Sequence, residues 1–400
     1  MGTRLKFAEY FGLRRNLVLL LAAVVLIGAG EETWSRFVPK YLETLGATAL
    51  IIGLSDGLKT LLGALYAWPG GVLADRWGHR RALAAFNAIS ITGYALVLWI
   101  PHWTAVIGGM FLFLAWSTLS LPAMFSLVAA SLSREKHTMG IGVQSLVKRI
   151  PIIAGPIIGG VLIDRLGIVG GVRAGLAISI AMGLLSLLLV WRMEESPPAA
   201  APTGGSFRSV VGGFDHRLKW LLASDIMVRF CERIPYAWVV IYAIDNVHAT
   251  ATQVGILTAV EMVVAIACYI PVAHFADQHG REPFVVATFF FFTVFPLALA
   301  MAHSFPWLVA AFAIRGLKEF GDPARKALIV SYARPEMRGR MIGAYYLIRD
   351  TVVSVGSLAG ALLWKISPDA NLLTASALGV IGTLVYWRWG RDAASRATMQ

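Results

Sequence analysis

Residues 307–333, WLVAAFAIRGLKEFGDPARKALIVSYA, set six charged side chains inside an otherwise apolar run: Arg315, Lys318, Glu319, Asp322, Arg325 and Lys326. In a soluble protein this would be an ordinary surface helix. Here charged residues are only 14% of 400, apolar residues are 57%, and the mean hydropathy is +0.68. Soluble domains stay near about half apolar, so the composition indicates an integral membrane protein. Apolar stretches of about 20 residues, the length that crosses a hydrocarbon core, recur along the chain. They are continuous rather than alternating, which indicates helices and excludes a barrel.

The net charge of +12 is not a nucleic-acid signature, because the basic residues sit in short loops between spans. The two cysteines, Cys231 and Cys268, lie in apolar segments and read as packing thiols, not as a disulfide or metal site. The basic-then-apolar N-terminus has the outline of a signal peptide. The apolar run continues past Gly30 into EETWSRFVPKYLETL, however, and a retained first span is expected.

Twelve helices are expected, at 16–43, 49–73, 81–101, 104–132, 138–163, 172–192, 217–245, 251–275, 283–302, 305–332, 339–364 and 371–389. The segment between helices 6 and 7, RMEESPPAAAPTGGSFRSVVGGFDHR, is rich in Pro, Gly, Ala and Ser and reads as a linker. The flanking halves match at a shift close to 201 residues. Glu31 falls opposite Glu232, Pro122 opposite Pro323, Gly142 opposite Gly343, Lys148 opposite Arg349, and Asp75 nearly opposite Asp277. The chain is thus expected to be an all-α membrane protein of two pseudo-symmetric six-helix bundles, 1–192 and 217–400, joined by a cytoplasmic linker at 193–216. Parallel repeats of this kind typify secondary transporters. Lysine and arginine run from Arg4 and Lys6 to Arg396 on one side, while Arg165, Arg173 and Lys365 fall on the other. The positive-inside rule then puts both termini in the cytoplasm, in a bacterial inner membrane.

Helices 3, 6, 9 and 12 carry no charge within their spans except at or next to the ends (Arg81, Arg173, Arg192 and Arg388), and read as lipid-facing supports. Helix 4 is likewise uncharged but holds Ser117, Thr118 and Ser120. An isolated charge at the bilayer centre costs roughly 2.5–3.5 kcal/mol. Summed over the charged residues of helices 1, 2, 5, 7, 8, 10 and 11, that far exceeds a folding stability of about 5–15 kcal/mol. These groups must be paired or face water, and a central chamber shared by the two halves is expected. On an ideal helix Arg315, Glu319, Asp322 and Lys326 form one stripe, and Asp225, Arg229 and Glu232 share another. Glu32 and Arg36 have i, i+4 spacing, and Asp56 and Lys59 i, i+3, both suited to ion pairs. Glu31, Lys148, Glu232, Arg315 and Arg349 have no obvious same-helix partner and are candidate cavity groups. In helix 5, Gly155, Pro156, Gly159 and Gly160 mark either close packing or a moving part.

These residues resemble the major facilitator superfamily. In GGVLADRWGHRRAL, Gly71, Asp75, Arg76, Gly78, Arg80 and Arg81 fill that family's pattern between helices 2 and 3, with His79 where Arg or Lys is usual. HFADQHGREP is a degraded copy that keeps Asp277, Gly280 and Arg281. The resemblance implies that Asp75 and its arginines form a cytoplasmic charge network that breaks and re-forms as the halves rock. GPIIGG, residues 155–160, resembles the antiporter motif of the family's drug/proton exporters. Pro151 stands where that motif has glycine, and Leu114 occupies the place equivalent to Arg315.

Neither a phosphate-binding Gly-x-x-x-x-Gly-Lys-Ser/Thr loop nor His-Glu-x-x-His is present, so energy from an ion gradient, with no cofactor, is expected. The leading expectation is a proton-coupled exporter of a small polar, charged or amphipathic organic compound. A carboxylate among Glu31, Glu32, Asp225 and Glu232 would carry the proton. The alternatives are an uptake symporter for a small organic anion, a lipid or lysolipid flippase, or a non-transporting membrane receptor. The expected partners are a small-molecule substrate and the lipid bilayer, with no nucleic acid, and the expected state is a monomer without enzymatic activity.

Overall fold

In a computed structural model of the chain, residues 15–120, 124, 137–194, 207–334 and 337–390 are described. Each of the twelve expected spans has a helical counterpart among them. These are α1 (Arg15–Thr44), α2 (Ala49–Trp77), α3 (His79–Trp99), α4 (Trp103–Leu119), α5 (137–166), α6 (168–191), α7 (216–245), α8 (Ala251–His279), α9 (Glu282–Ala300), α10 (305–332), α11 (Arg338–Ile366) and α12 (Pro368–Gly390). The helical run His137–Trp191 is divided at Gly167, whose φ of 74° only glycine adopts without strain. Of these, α4, α7 and α10 are too short or too polar, over their described residues, to cross a membrane by length and composition alone; α4 is described over Trp103–Leu119. For α7 and α10 the reason is in the sequence. The former carries Asp225, Arg229, Glu232 and Arg233, and the latter is interrupted.

Two compact units divide the chain. The first comprises Met1–Gly46, Leu62–Pro202 and Thr250–Gly255; the second comprises Ala47–Leu61, Thr203–Ala249 and Ile256–Gln400. The boundary therefore crosses the simple halves twice. The start of α2 belongs with the second repeat and the start of α8 with the first. The first unit has a core of Leu17, Leu20, Val24, Ile27, Phe86 and Trp116. In the second, Leu218, Leu221, Phe289, Ile329 and Tyr345 pack together.

Two expected helices are not continuous. The first breaks after Glu31: Thr33 and Trp34 bond back only three residues, and the Thr33 hydroxyl donates to the Gly30 carbonyl at 2.6 Å. Such back-bonding competes with the helical ladder and bends it, and Pro39 starts the next segment. α10 is likewise split into Phe305–Leu317 and Asp322–Tyr332 by a tight turn of three-residue bonds. The Gly321 N–H leaves the helical ladder and donates to Thr288 Oγ1 at 2.5 Å, and Pro323 begins the second segment. The single stripe of Arg315, Glu319, Asp322 and Lys326 expected on an ideal helix is therefore broken, and Arg315 is buried while Lys326 is exposed.

Candidate functional site

In the first unit, the break in α1 is seated on α5. Any Cβ at Gly155 would strike Glu32, and one at Gly159 would strike the Thr33 main chain. Small residues let backbones approach this closely where lipid supplies no hydrophobic drive between helices. Trp34 locks the same turn: its indole N–H donates to Ser179 Oγ at 2.9 Å, and its ring meets Phe113 edge-on at 5.2 Å. On the other side the Tyr94 hydroxyl donates to the Glu31 carboxylate in a short hydrogen bond. α4 contributes a wide π-turn at Ala115–Leu119, held where the Trp116 N–H donates to Ser90 Oγ at 2.8 Å.

These elements enclose a cavity of about 150 Å³, lined by Glu31, Glu32 and Lys148 and by Gly28, Ser117, Trp116, Met124 and Ile152 among others. Lys148 interacts electrostatically with Glu31. Two carboxylates and one ammonium thus face a space with aromatic and aliphatic walls. A few polar groups in an apolar recess are the usual make-up of a small-molecule site.

The second unit holds a continuous ionic network instead. Arg325 donates to Asp225 at 2.6 Å and to Asp322 at 2.5 Å. Asp225 also accepts from Tyr345 at 3.0 Å and lies 3.4 Å from Arg349. On the next turns of α7, Glu232 is held between Arg229 at 2.7 Å and Lys318 at 2.8 Å. Lys318 and Arg315 each lie 3.3 Å from Glu261 on α8. The Arg315 guanidinium sits over the rings of Phe295, Phe312 and Tyr236. Further along α7, Arg233 pairs with Asp56 at 3.4 Å, and Asp56 accepts from Ser357 at 2.6 Å. Buried charges persist only when paired, and each charge named here has an ionic partner, although Arg229 Nε and Glu261 Oε2 make no hydrogen bond.

The candidate residues therefore fall into two groups. Glu31, Glu32 and Lys148 meet at the first-unit cavity, and Gly155 and Gly159 seat it. Asp56, Asp225, Arg229, Glu232, Arg315, Asp322 and Arg349 join the second-unit network, while Glu319 lies half-buried in the α10 turn. Two expected same-helix pairs do not form as drawn. Lys59 is exposed and Asp56 turns to Arg233 and Ser357. The break in α1 removes the helical turn that i, i+4 pairing of Glu32 with Arg36 requires. Gly160 packs on the Ala251 main chain, and Pro156 on Gly255. At the junction of α2 and α3, Gly78 takes a positive φ of 80°, Arg76 and Arg81 are exposed, and Arg80 donates to the Met193 carbonyl at 3.3 Å. The side-chain surroundings of Gly71, Asp75 and Asp277 lie outside the described residues. Glu261, Lys318, Arg233 and Tyr94 are members the sequence reading did not single out as site residues. Cys231 is buried, its thiol donating to the Phe292 carbonyl, and both cysteines are free.

Twelve helical segments among the described residues, on a duplicated plan, with a partly polar recess and buried ionic clusters, are the plan of a secondary active transporter. The model of the Major Facilitator Superfamily matches residues 19–244 and 221–398, and the chain belongs to that family. It is 24% identical to the multidrug resistance protein MdtG of Enterobacter lignolyticus (strain SCF1), over 87% of this chain and 85% of that protein. To the multidrug resistance protein MdtH of Proteus mirabilis (strain HI4320) it is 22% identical, over 96% and 94% of the two chains. Its fold is similar to that of a POT family transporter crystallised with 5-aminolevulinic acid, with a TM-score of 0.78 at 12% identity, covering 94% of this chain and 96% of that one.

Proposed function

We propose that this protein is a proton-coupled exporter of a small polar, charged or amphipathic organic compound, working by alternating access in a bacterial inner membrane with both termini cytoplasmic. In this reading the two repeats, 1–192 and 217–400, rock about the linker at 193–216, with Asp75 and its neighbouring arginines as a latch. No bond is made or broken in the substrate and no cofactor is required. The observation that carries the reading is Glu232 held between Arg229 and Lys318, at 2.7 and 2.8 Å, with Glu31 at the equivalent place beside a cavity. A carboxylate that exchanges a cationic partner for a proton is the simplest coupling element, because nearby positive charge favours its ionised form. The names of the relatives, multidrug resistance proteins, support the outward direction.

The test is flux in proteoliposomes under an imposed pH gradient, with a panel of fluorescent drugs and labelled organic acids. Uptake into acid-loaded vesicles that collapses with a protonophore, and that is uncoupled by Glu31→Gln or Glu232→Gln, is expected. Fluxes indifferent to the gradient across the panel would remove proton coupling, and coupling unchanged in both variants would remove these two carboxylates as carriers.

A further inference from the structure

The fourth helix of each repeat opens at the same place. In α4 the opening is the π-turn Ala115–Leu119, and in α10 it is the run of three-residue bonds from Lys318 to Asp322. A shift of 201 residues carries the first onto 316–320, although AWSTL and GLKEF share no residue. A lost ladder bond leaves a main-chain N–H to be satisfied elsewhere, and in both repeats a hydroxyl on the third helix takes it. On α3, Ser90 Oγ accepts from the Trp116 N–H at 2.8 Å and donates to the Phe113 carbonyl at 3.0 Å, so this hydroxyl stands inside the ladder of α4. On α9, Thr288 Oγ1 accepts from the Gly321 N–H at 2.5 Å. A side chain inserted in this way breaks a helix. The turn has changed its sequence between the repeats and kept its fastening.

The opened turns carry side chains that meet the first helix of each repeat. The same shift sets Glu31 opposite Glu232, Gly28 opposite Arg229 and Ser117 opposite Lys318. Ser117 lines the cavity with Glu31, and Lys318 reaches Glu232 at 2.8 Å and Glu261 at 3.3 Å. Lys318 lies three residues before Gly321, so the turn that Thr288 fastens sets the path of its stem. There is little slack here. Thr288 and Gly321 are buried, and a Cβ on Gly321 would overlap the Phe284 main chain, four residues before Thr288 on α9.

We infer that Thr288 is a positioning residue of the transport cycle: its hydroxyl holds the α10 turn in the form that presents the Lys318 ammonium to Glu232. The inference rests on the transport reading and adds to it an uncharged residue outside the ionic network. Without the hydroxyl the Gly321 N–H loses its acceptor, and an unmet buried donor is costly. The turn is then drawn back toward a regular ladder, with that N–H on the Leu317 carbonyl, and Lys318 projects in a different direction.

The full chain in detergent is acylated with acetic anhydride, and modification of each lysine is followed by mass spectrometry. Thr288→Val removes the acceptor at nearly constant volume and is expected to speed modification of Lys318 by about ten-fold or more. Lys148 on α5 reports general loosening and is expected to be unchanged. Thr288→Ser keeps the acceptor and is expected to react as wild type. In proteoliposomes, with the panel of fluorescent drugs and labelled organic acids, gradient-driven flux is expected to fall about ten-fold or more in Thr288→Val and to be kept in Thr288→Ser. Downhill exchange at equal pH is expected to survive in both. An unchanged Lys318 rate in folded Thr288→Val, an equal rise at Lys148, unchanged gradient-driven flux in Thr288→Val, or a Thr288→Ser protein that behaves like it would overturn the inference. If Thr288→Val does not fold, Thr288→Cys, close to serine in size but a weak acceptor, takes its place. Failure of both beside a folded Thr288→Ser would tie the hydroxyl to folding and overturn the inference as well. Gradient-driven flux with Lys318 labelling indifferent to residue 288 removes Thr288 and leaves the transporter reading intact. Labelling that follows residue 288, with no gradient-driven flux of any panel compound in the wild type, keeps Thr288 as the holder of Lys318 and removes the transport reading.

Discussion

Arg325 reaches Asp225 from another helix and donates to it at 2.6 Å, with side-chain exposures of 3% and 1%. A pair so fully removed from water is costly to break, because the surviving charge keeps its desolvation and loses its partner. Arg325→Met leaves Asp225 with Arg229, Arg349 and Tyr345 but without its shortest contact, and is expected to destabilise the protein by about 3 kcal/mol. The double variant Asp225→Asn/Arg325→Met is expected to recover part of that loss. Thermal unfolding of the three variants in one detergent measures the coupling; strictly additive losses would show the two residues to be independent.

Lys318 joins two carboxylates on different helices, Glu232 at 2.8 Å and Glu261 at 3.3 Å. If exchange of this ammonium for a proton drives transport, the flexible point charge matters more than the packing of its stem. Lys318→Met is expected to reduce gradient-driven flux by about ten-fold or more, and Lys318→Arg to retain a measurable fraction. Equal flux in Lys318→Met and wild type would remove Glu232 and Lys318 from the coupling path.

The architecture was more legible in the sequence than the site. Hydropathy and the repeat mark all twelve spans because both are summed over many residues. The pairings rest on single contacts between helices, which spacing along one helix does not report. Asp56 and Lys59 have the right separation for a pair, yet Asp56 turns to α7 and α11. Glu261 has no charged neighbour within ILTAVEMVVAIACYI, so nothing local distinguished it; its partners come from α10. The stripe on α10 failed because Gly321, Asp322 and Pro323 break the helix that the stripe assumed. The cavity was hidden for another reason: Gly28 and Ser117 are inconspicuous until set against Arg229 and Lys318.

Gly159 supports the α1 break by carrying no side chain, since a Cβ there would overlap the Thr33 main chain. Main chain cannot swing aside as a flexible side chain does, so Gly159→Ala forces α5 away from the Glu31–Thr33 turn. A loss of about 1–3 kcal/mol is expected, the usual cost of overpacking. Gly108 on α4 has open space around its Cβ position, and Gly108→Ala is expected to be neutral or slightly stabilising through helix propensity. Thermal unfolding of the two variants side by side checks this; equal behaviour would show that the close approach at Gly159 carries no stability.

The N-terminus of α8 is capped by a residue from far along the chain. Asp164 accepts from the Ala251 N–H at 2.9 Å and from the Thr252 N–H at 3.0 Å, two donors that the first turn of a helix otherwise leaves open. A carboxylate at this place also meets the positive end of the helix dipole. Asp164→Ala removes both interactions and is expected to cost about 0.5–2 kcal/mol, the range for loss of a cap. Asp164→Asn keeps an acceptor oxygen and is expected to lose less than half as much, while sensitivity to salt falls in both variants because the dipole contribution is screened. Unfolding temperatures at low and high ionic strength separate the two contributions. An Asp164→Ala protein as stable as wild type at both would show that α8 starts without help from this side chain.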